Sequence, residues 1–211
     1  MTMGPSTLLV DMDGTLLDSE VAQERSWTTW AEGHQLDPAR FLSAQGRTAR
    51  DKIGEFAPWL DLERETRRIA DLEAGDTTGI RALPGAAELW RSNLIFAVVT
   101  SADRRLARVR LRAAGLDPDR PDVVVTAESV RHGKPAPDPY LLAASSLGVQ
   151  PARCVAVEDA PAGVASGLAA GMRVVAVTTT VDPAELAAAH RVVADIGELL
   201  DWEFSTAREA A

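Results

Sequence analysis

The chain has 211 residues, of which 46% are hydrophobic and 25% charged, a balance that is typical of a folded globular domain and excludes disordered, collagen-like and disulfide-stapled proteins. Its net charge of −9, from 22 Lys and Arg against 31 Asp and Glu, disfavours nucleic acids and anionic membranes as partners. Since no apolar run approaches the roughly 20 residues of a membrane span, and the N-terminus has neither a basic region nor an apolar signal core, we expect a soluble, cytoplasmic protein.

Five short apolar runs are continuous rather than alternating with polar residues, and such runs predict strands buried on both faces of a sheet. They cover residues 7–10, 95–99, 123–125, 154–157 and 174–177. Between them lie segments of helical spacing, and Gly115, Gly148 and Gly171 stand where three of those helices should end. Strands that alternate with helices indicate an α/β protein with a doubly wound parallel sheet.

Residues 19–81 interrupt this alternation, because they contain no strand-like run. The i, i+3, i+4, i+7 spacing of an amphipathic helix is found at Trp27, Trp30, Ala31 and His34. Further helical patterns occupy 53–57 and 63–74. We therefore predict a helical insertion between the first and second strands.

Two arginine-rich segments, 64–68 and 104–112, are the nearest candidates for a basic patch. In both, the charges fall at spacings that favour a solvated helix face over a binding surface. The sequence therefore predicts no nucleic-acid interface in either segment.

Polar residues follow four of the five predicted strands. They are Asp11 and Asp13 after the first, Thr100 and Ser101 after the second, Lys134 shortly after the third, and Glu158 and Asp159 after the fourth. In open α/β sheets, ligands bind in the crevice beyond the carboxyl ends of the strands. These residues are therefore expected to converge on one rim.

Each cluster also has a local explanation. Asp13 and Gly14 can form a turn, and Lys134 can be an ordinary loop lysine. The pairs Thr100-Ser101 and Glu158-Asp159 can each cap the helix that follows. Their common placement at strand ends favours a shared site.

The chemistry of the set explains why these residue types would be gathered. Four crowded carboxylates repel one another and raise the pKa of at least one of them, unless a cation lies among them. A hard divalent ion with oxygen ligands relieves the repulsion, and Mg²⁺ fits best. With a hydroxyl and a lysine added, the site can hold a phosphoryl group, one carboxylate acting as nucleophile and another as proton donor.

These clusters, in this order, resemble those of the haloacid dehalogenase-like phosphohydrolases. The likeness is carried by the segment Asp11-Met12-Asp13-Gly14-Thr15, by Thr100, by Lys134 and by Glu158-Asp159. It continues through 124–177, 46–48 and 79–85, where the chain is similar to bacterial sugar phosphatases and to yeast glycerol-phosphate and 2-deoxyglucose-6-phosphate phosphatases. The resemblance implies a Rossmann-like core, 1–17 and 82–211, with a small α-helical cap domain, 18–81, inserted in it.

The resemblance assigns a role to each matching residue. Asp11 would attack phosphorus and form an aspartyl-phosphate, and Asp13 would protonate the leaving alcohol and then activate water. Thr100 and the neighbouring Ser101 would bind phosphate oxygens. Lys134 would neutralise phosphate and hold Asp11.

The resemblance also implies a Mg²⁺ site and a mobile cap. The ion would be bound by Asp11, Asp159 and the backbone carbonyl of Asp13, while Glu158 would orient its water ligands. The cap would exclude water and select the leaving group. Its candidate substrate-binding residues are Arg47, Thr48 and Glu20, and a surface salt bridge is the alternative for Arg47.

Several functions remain open beside that of a monomeric phosphatase of small phosphate esters. A sugar-phosphate mutase of the β-phosphoglucomutase type would use the same catalytic residues, and a non-catalytic phosphate-binding module could share the fold. A dehalogenase is disfavoured because those relatives lack an aspartate at the position of Asp13. A phosphonate hydrolase would need a Schiff-base lysine in the cap, and we expect Lys52, which is the cap's lysine, to face solvent.

Overall fold

The computed structural model describes residues 7–200 of the chain, and it consists of a parallel sheet with helices on both faces and a separate helical layer above one end. The strands are β1 (Thr7–Val10), β2 (Leu17–Asp18), β3 (Arg81–Ala82), β4 (Phe96–Val99), β5 (Val123–Val125), β6 (Cys154–Glu158), β7 (Arg173–Val177) and β8 (Arg191–Val193). The helices are α1 (Glu20–Gly33), α2 (Ala39–Leu42), α3 (Ala49–Phe56), α4 (Leu62–Gly75), α5 (Ala86–Arg91), α6 (Arg104–Ala113), α7 (Asp138–Ser146) and α8 (Pro161–Ala169).

The main sheet has six parallel strands in the order β5-β4-β1-β6-β7-β8. Consecutive residues of a strand point to opposite faces, so Leu8 and Val10 join one hydrophobic layer while Leu9 joins the other. Both faces are covered, which is why the strands are continuous apolar runs. The predicted α/β fold with a doubly wound parallel sheet is confirmed.

The helical layer, α1 to α4, leaves the core at β2 and returns at β3, and these two strands pair antiparallel. It has its own hydrophobic core, in which Trp27 and Trp30 pack against Phe41. We call this layer, residues 18–81, the cap. Its bounds as a separate domain stay a prediction, and the predicted core's outer ends, 1–6 and 201–211, lie outside the described residues.

The sequence patterns missed the smaller strands. The paired β2 and β3 have two residues each, and β8 begins with Arg191, so none of the three consists of an apolar run as β5 does. Among residues 7–200, no helix combines the length and the apolar character needed to cross a membrane.

Candidate active site

The order of the strands in the sheet brings the predicted site residues to one edge. β1 lies between β4 and β6, so the residues that follow these three strands are neighbours. Asp11 continues the pairing, since its N–H donates to the carbonyl of Val157 at 2.9 Å. Thr100 continues the pairing beyond β4 in the same way, since its N–H donates to the carbonyl of Val125 at 2.9 Å. The edge is therefore a switch point of the kind where ligands bind in open α/β sheets.

Lys134 is 1% exposed and lies beneath this edge. Its Nζ is 2.6 Å from Oδ1 of Asp11 and 2.6 Å from Oε1 of Glu158, and it donates to the Val99 carbonyl at 2.9 Å. Burial alone would lower the pKa of Lys134, but the charges of the two carboxylates outweigh it and raise the pKa. Lys134 is therefore a fixed cation, and the alternative of an ordinary loop lysine is wrong.

Asp11, Glu158 and Asp159 form a buried acidic cluster whose ligand oxygens lie within 4.8 Å of one another. Burial raises the pKa of all three, that of Glu158 to about 7, and the charge of Asp11 adds to the rise at the other two. Oε1 of Glu158 also accepts from the Tyr140 hydroxyl at 2.5 Å, while its Oε2 has no hydrogen-bond partner among the described residues.

The charge of the cluster fits a divalent cation. Three carboxylates and the one ammonium of Lys134 sum to −3 + 1 = −2 when all are ionised. Carboxylate oxygens are the ligands of hard divalent cations. The cluster could thus hold a metal ion. Asp13 contributes no side-chain atom to the cluster, and its predicted contribution through the backbone carbonyl stays a prediction.

The carboxylate of Asp159 accepts hydrogen bonds from two threonines and packs against a glycine. Thr180 donates to its Oδ2 at 2.6 Å and Thr15 to its Oδ1 at 3.3 Å. Gly14 has φ +76°, and a Cβ at this position would lie 2.0 Å from Oδ2 of Asp159. A glycine is therefore required both by the backbone and by the carboxylate packed against it.

We expect Gly14→Ala to destabilise the protein by at least about 1 kcal/mol more than Gly148→Ala. Gly148 also has positive φ, +68°, but a Cβ there meets nothing within 4 Å, so its variant isolates the backbone strain. Urea denaturation of the two variants measures the difference. Equal losses of stability would contradict the close packing of Gly14 on Asp159.

Asp13 differs from the cluster, because its side chain is 19% exposed and faces the cavity between core and cap. Its Oδ1 accepts from the Ser19 hydroxyl at 2.6 Å, and its Oδ2 accepts from Nη1 of Arg110 at 2.9 Å. Both contacts fix the carboxylate in one orientation. Asp13 is thus separate in environment from Asp11, although only one residue lies between them.

Arg110 was missed by the sequence analysis, which placed segment 104–112 on a solvated face. The side chain is 3% exposed and bridges the two layers: Nη1 donates to Asp13, and Nη2 donates to Oε1 of Glu73 on α4 at 3.0 Å. The prediction is wrong at this position because Arg110 lies one turn beyond the buried Leu106, on the inner face of α6. The i+4 spacing from Leu106 is the signal in the sequence that could have placed Arg110 on the buried face of α6.

Thr100 and Ser101 follow β4 and line the cavity between core and cap. The Thr100 hydroxyl accepts from the N–H of Ala102 at 3.1 Å, so its own proton remains available. Ser101 donates to the carbonyl of Gly46 in the cap at 2.6 Å.

Neither Thr100 nor Ser101 caps α6, because that role belongs to Asp103, whose side chain accepts from Leu106 N–H at 2.7 Å. Nor do Glu158 and Asp159 cap α8, which has no side-chain cap.

The cavity between core and cap has a volume of about 880 Å³. It is lined by Asp11, Asp13, Thr100, Ser101 and Asp159 from the core and by Glu20, Arg47 and Thr48 from the cap. Glu20 is exposed at the start of α1. Arg47 pairs with Glu55 at 2.7 Å, and Thr48 caps α3 by accepting from Asp51 N–H at 3.1 Å. The substrate-binding roles of these three cap residues stay predictions.

Lys52 does not face solvent, contrary to the expectation from sequence. It is 6% exposed and lines the cavity from the cap side. Burial lowers its pKa to about 8, although the nearby charge of Glu73 raises it in part. Its neighbour in the chain, Asp51, accepts a hydrogen bond from the Thr48 hydroxyl.

The chain has relatives among known proteins. The family model of haloacid dehalogenase-like hydrolases matches residues 5–171. Hexitol phosphatase A of Escherichia coli is 46% identical over 84% of this chain and 85% of its own length. Glycerol-1-phosphate phosphohydrolase 2 of Saccharomyces cerevisiae is 30% identical over 86% and 78%. The crystal structure of a hydrolase from Pseudomonas syringae has a TM-score of 0.84 at 27% identity and covers 93% of this chain and 96% of that one.

Proposed function

The chain belongs to the haloacid dehalogenase-like hydrolases, and from that premise we propose that it is a Mg²⁺-dependent phosphatase of small sugar or polyol phosphates. The observation that carries the proposal is the pairing of two differently placed aspartates. Asp11 is buried beside Lys134 and Asp159, while Asp13 faces the cavity. Two carboxylates in different environments can take different roles in one reaction.

In the first step, an oxygen of Asp11 attacks phosphorus, and the bond from phosphorus to the ester oxygen breaks. Asp13 donates its proton to the leaving alkoxide, which departs as the alcohol. In the second step, a water molecule attacks the phosphorus of the aspartyl-phosphate and gives a proton to Asp13. The bond from phosphorus to the Asp11 oxygen breaks, so inorganic phosphate is released and the Asp11 carboxylate is restored. The hydroxyl of Thr100 donates to a phosphate oxygen in both steps.

Several residues prepare these steps without reacting. Lys134 keeps Asp11 oriented and partly neutralised, and Arg110 with Ser19 orients Asp13. Asp11 and Asp159 would hold Mg²⁺, with the Asp13 carbonyl, and Glu158 would orient its waters. When bound, the ion would screen the repulsion between a phosphate dianion and a carboxylate.

The substrate class rests on the size of the cavity and on the relatives. A volume of about 880 Å³ lies within the range of small-molecule sites, so the cavity has room for a sugar or polyol phosphate. The two relatives named above act, by their names, on phosphates of a hexitol and of glycerol. We further propose that the enzyme works as a monomer in the cytoplasm, and size-exclusion chromatography tests the first of these points.

The test is phosphate release from a panel of esters, namely sorbitol 6-phosphate, glycerol 1-phosphate, glucose 6-phosphate and phenyl phosphate, with Mg²⁺ and with EDTA. We expect release in Mg²⁺, loss of release in EDTA, and recovery when Mg²⁺ is restored. Release that persists in EDTA would contradict the metal dependence. No release from any ester, with interconversion of hexose 1- and 6-phosphates, would establish the mutase instead.

A further inference from the structure

Tyr140, on α7, carries a buried hydroxyl that the packing of the core does not require. Its ring belongs to the hydrophobic layer that also contains Leu9 and Val99, and the whole side chain is buried. A phenylalanine ring would fill the same space. Because a buried hydroxyl costs free energy unless it forms a hydrogen bond, the partner of this hydroxyl indicates what the tyrosine contributes.

The hydroxyl of Tyr140 donates to Oε1 of Glu158 at 2.5 Å. The Nζ atom of Lys134 lies 2.6 Å from the same oxygen. Burial and the charge of Glu158 raise the pKa of Tyr140 well above its usual value, so the phenol keeps its proton. A carboxylate has about four lone-pair sites, two on each oxygen, and the two donors therefore use the whole capacity of Oε1.

The other oxygen of Glu158, Oε2, is buried and has no hydrogen-bond partner among residues 7–200. The remaining capacity of this carboxylate to bind a cation or a water therefore lies on Oε2. The last side-chain torsion of a glutamate is broad and roughly two-fold, so its two oxygens can exchange places unless neighbouring groups hold them. Gly163 on α8 leaves room for the carboxylate, since a Cβ there would lie 1.9 Å from Oε2.

We propose that Tyr140 is a positioning residue of the metal site: its hydroxyl, together with Lys134, occupies one oxygen of Glu158 and reserves the other for the ion or for a water bound to it. This inference rests on the metal dependence in the proposed function and deepens it. Tyr140 is not among the described residues that line the cavity, so it acts through Glu158. Groups that hold a ligand carboxylate in place typically contribute about 10- to 100-fold to metal affinity.

The test is Tyr140→Phe, which keeps the ring and its contact with the Lys134 ammonium, 5.6 Å from the ring centroid, and removes the hydroxyl. In calorimetric titration of the substrate-free protein with MgCl₂, the Kd for Mg²⁺ rises about tenfold, the lower end of the range because Lys134 still holds Oε1. In assays with sorbitol 6-phosphate, the Mg²⁺ concentration that gives half the maximal rate rises by the same factor. The kcat at saturating Mg²⁺ stays within about threefold of the wild-type value.

The matched control is Ser92→Ala, which also removes a hydrogen-bonded hydroxyl. Ser92 precedes β4, at the opposite end of the sheet from the cluster, and its hydroxyl donates to the Leu89 carbonyl at 2.7 Å. Thermal unfolding in EDTA should show a small loss of stability in both variants, but Ser92→Ala leaves the Kd for Mg²⁺ unchanged.

Three results would overturn the inference. The first is a Kd for Mg²⁺ in Tyr140→Phe that equals or falls below the wild-type value. The second is an equal rise of this Kd in both variants, which would assign the hydroxyl to general stability. The third is a low kcat in Tyr140→Phe that excess Mg²⁺ does not restore.

The calorimetric titration needs no turnover, so it separates the inference from the proposed function. If the wild-type protein releases phosphate from no ester, the proposed function fails. The inference then stands if Tyr140→Phe still weakens Mg²⁺ binding about tenfold. It falls if the affinity is unchanged or if the wild-type protein binds no Mg²⁺.

Discussion

Replacing Asp11 by Asn is expected to lower kcat for sorbitol 6-phosphate by roughly 10⁴-fold or more, because the amide cannot form the aspartyl-phosphate. The substitution preserves shape and removes one of three crowded, buried carboxylates. The unfolding temperature should therefore not fall. Phosphate binding should persist, because Lys134 and Thr100 are unchanged. Turnover measured by phosphate release, together with thermal unfolding, checks both expectations.

The control for Asp11 is Asp71→Asn, which makes the same chemical change at an exposed carboxylate paired with Arg105. It should leave kcat within about twofold, as is usual for a surface pair. Turnover that survives in the Asp11 variant would show that another group is the nucleophile. Loss of phosphate binding together with turnover would show that Asp11 supports the site's structure rather than its chemistry.

The second large effect is expected at Arg110. Arg110→Gln should lower kcat for phenyl phosphate by about 10²-fold, because Asp13 loses the guanidinium that orients it for proton transfer. It should also destabilise the fold by about 3 kcal/mol, since Glu73 is left buried without its cation. Steady-state kinetics and urea denaturation measure the two effects separately.

The double variant Arg110→Gln with Glu73→Gln distinguishes positioning from stability. It removes the unpaired buried charge, so the free energy of unfolding should largely recover. The kcat should stay low, because Asp13 still lacks its partner, while Arg110→Lys should restore part of it. Recovery of kcat in step with stability would refute a positioning role.

The fold could be predicted from the sequence because its buried strands are continuous apolar runs. Strands covered on both faces form continuous apolar runs. β4 is apolar throughout, and β1 and β6 are apolar except at Thr7 and Glu158, which lie at their ends. Once a parallel sheet is inferred, the carboxyl ends of its strands share an edge. That argument anticipated the meeting of Asp11 with Lys134 and Asp159, although they are far apart in the chain.

Sequence reasoning could not predict the burial of residues that depends on which face of a helix another layer covers. Arg110 and Lys52 are charged residues that sequence reasoning assigns to solvent, and only the packing of α4 and α3 over the core encloses them. Similarly, the alanine-rich stretch 184–189 has a high helix propensity, yet within it only residues 184–186 are helical, as part of the 3₁₀ helix Pro183–Leu186. The chain turns there to enter β8, and tertiary context overrides propensity.

The position of β1 in the centre of the sheet affects how the protein is made. Leu8 pairs with Phe96 on one side and Val155 on the other, so β1 waits for two partner strands that are synthesised after it. The cap, with its own aromatic core, lies between β1 and β4 in the chain and is therefore complete before either partner strand. A nascent chain therefore exposes an apolar strand with two open edges until β4 is made, and with one open edge until β6 is made. This interval is when chaperones have most to protect.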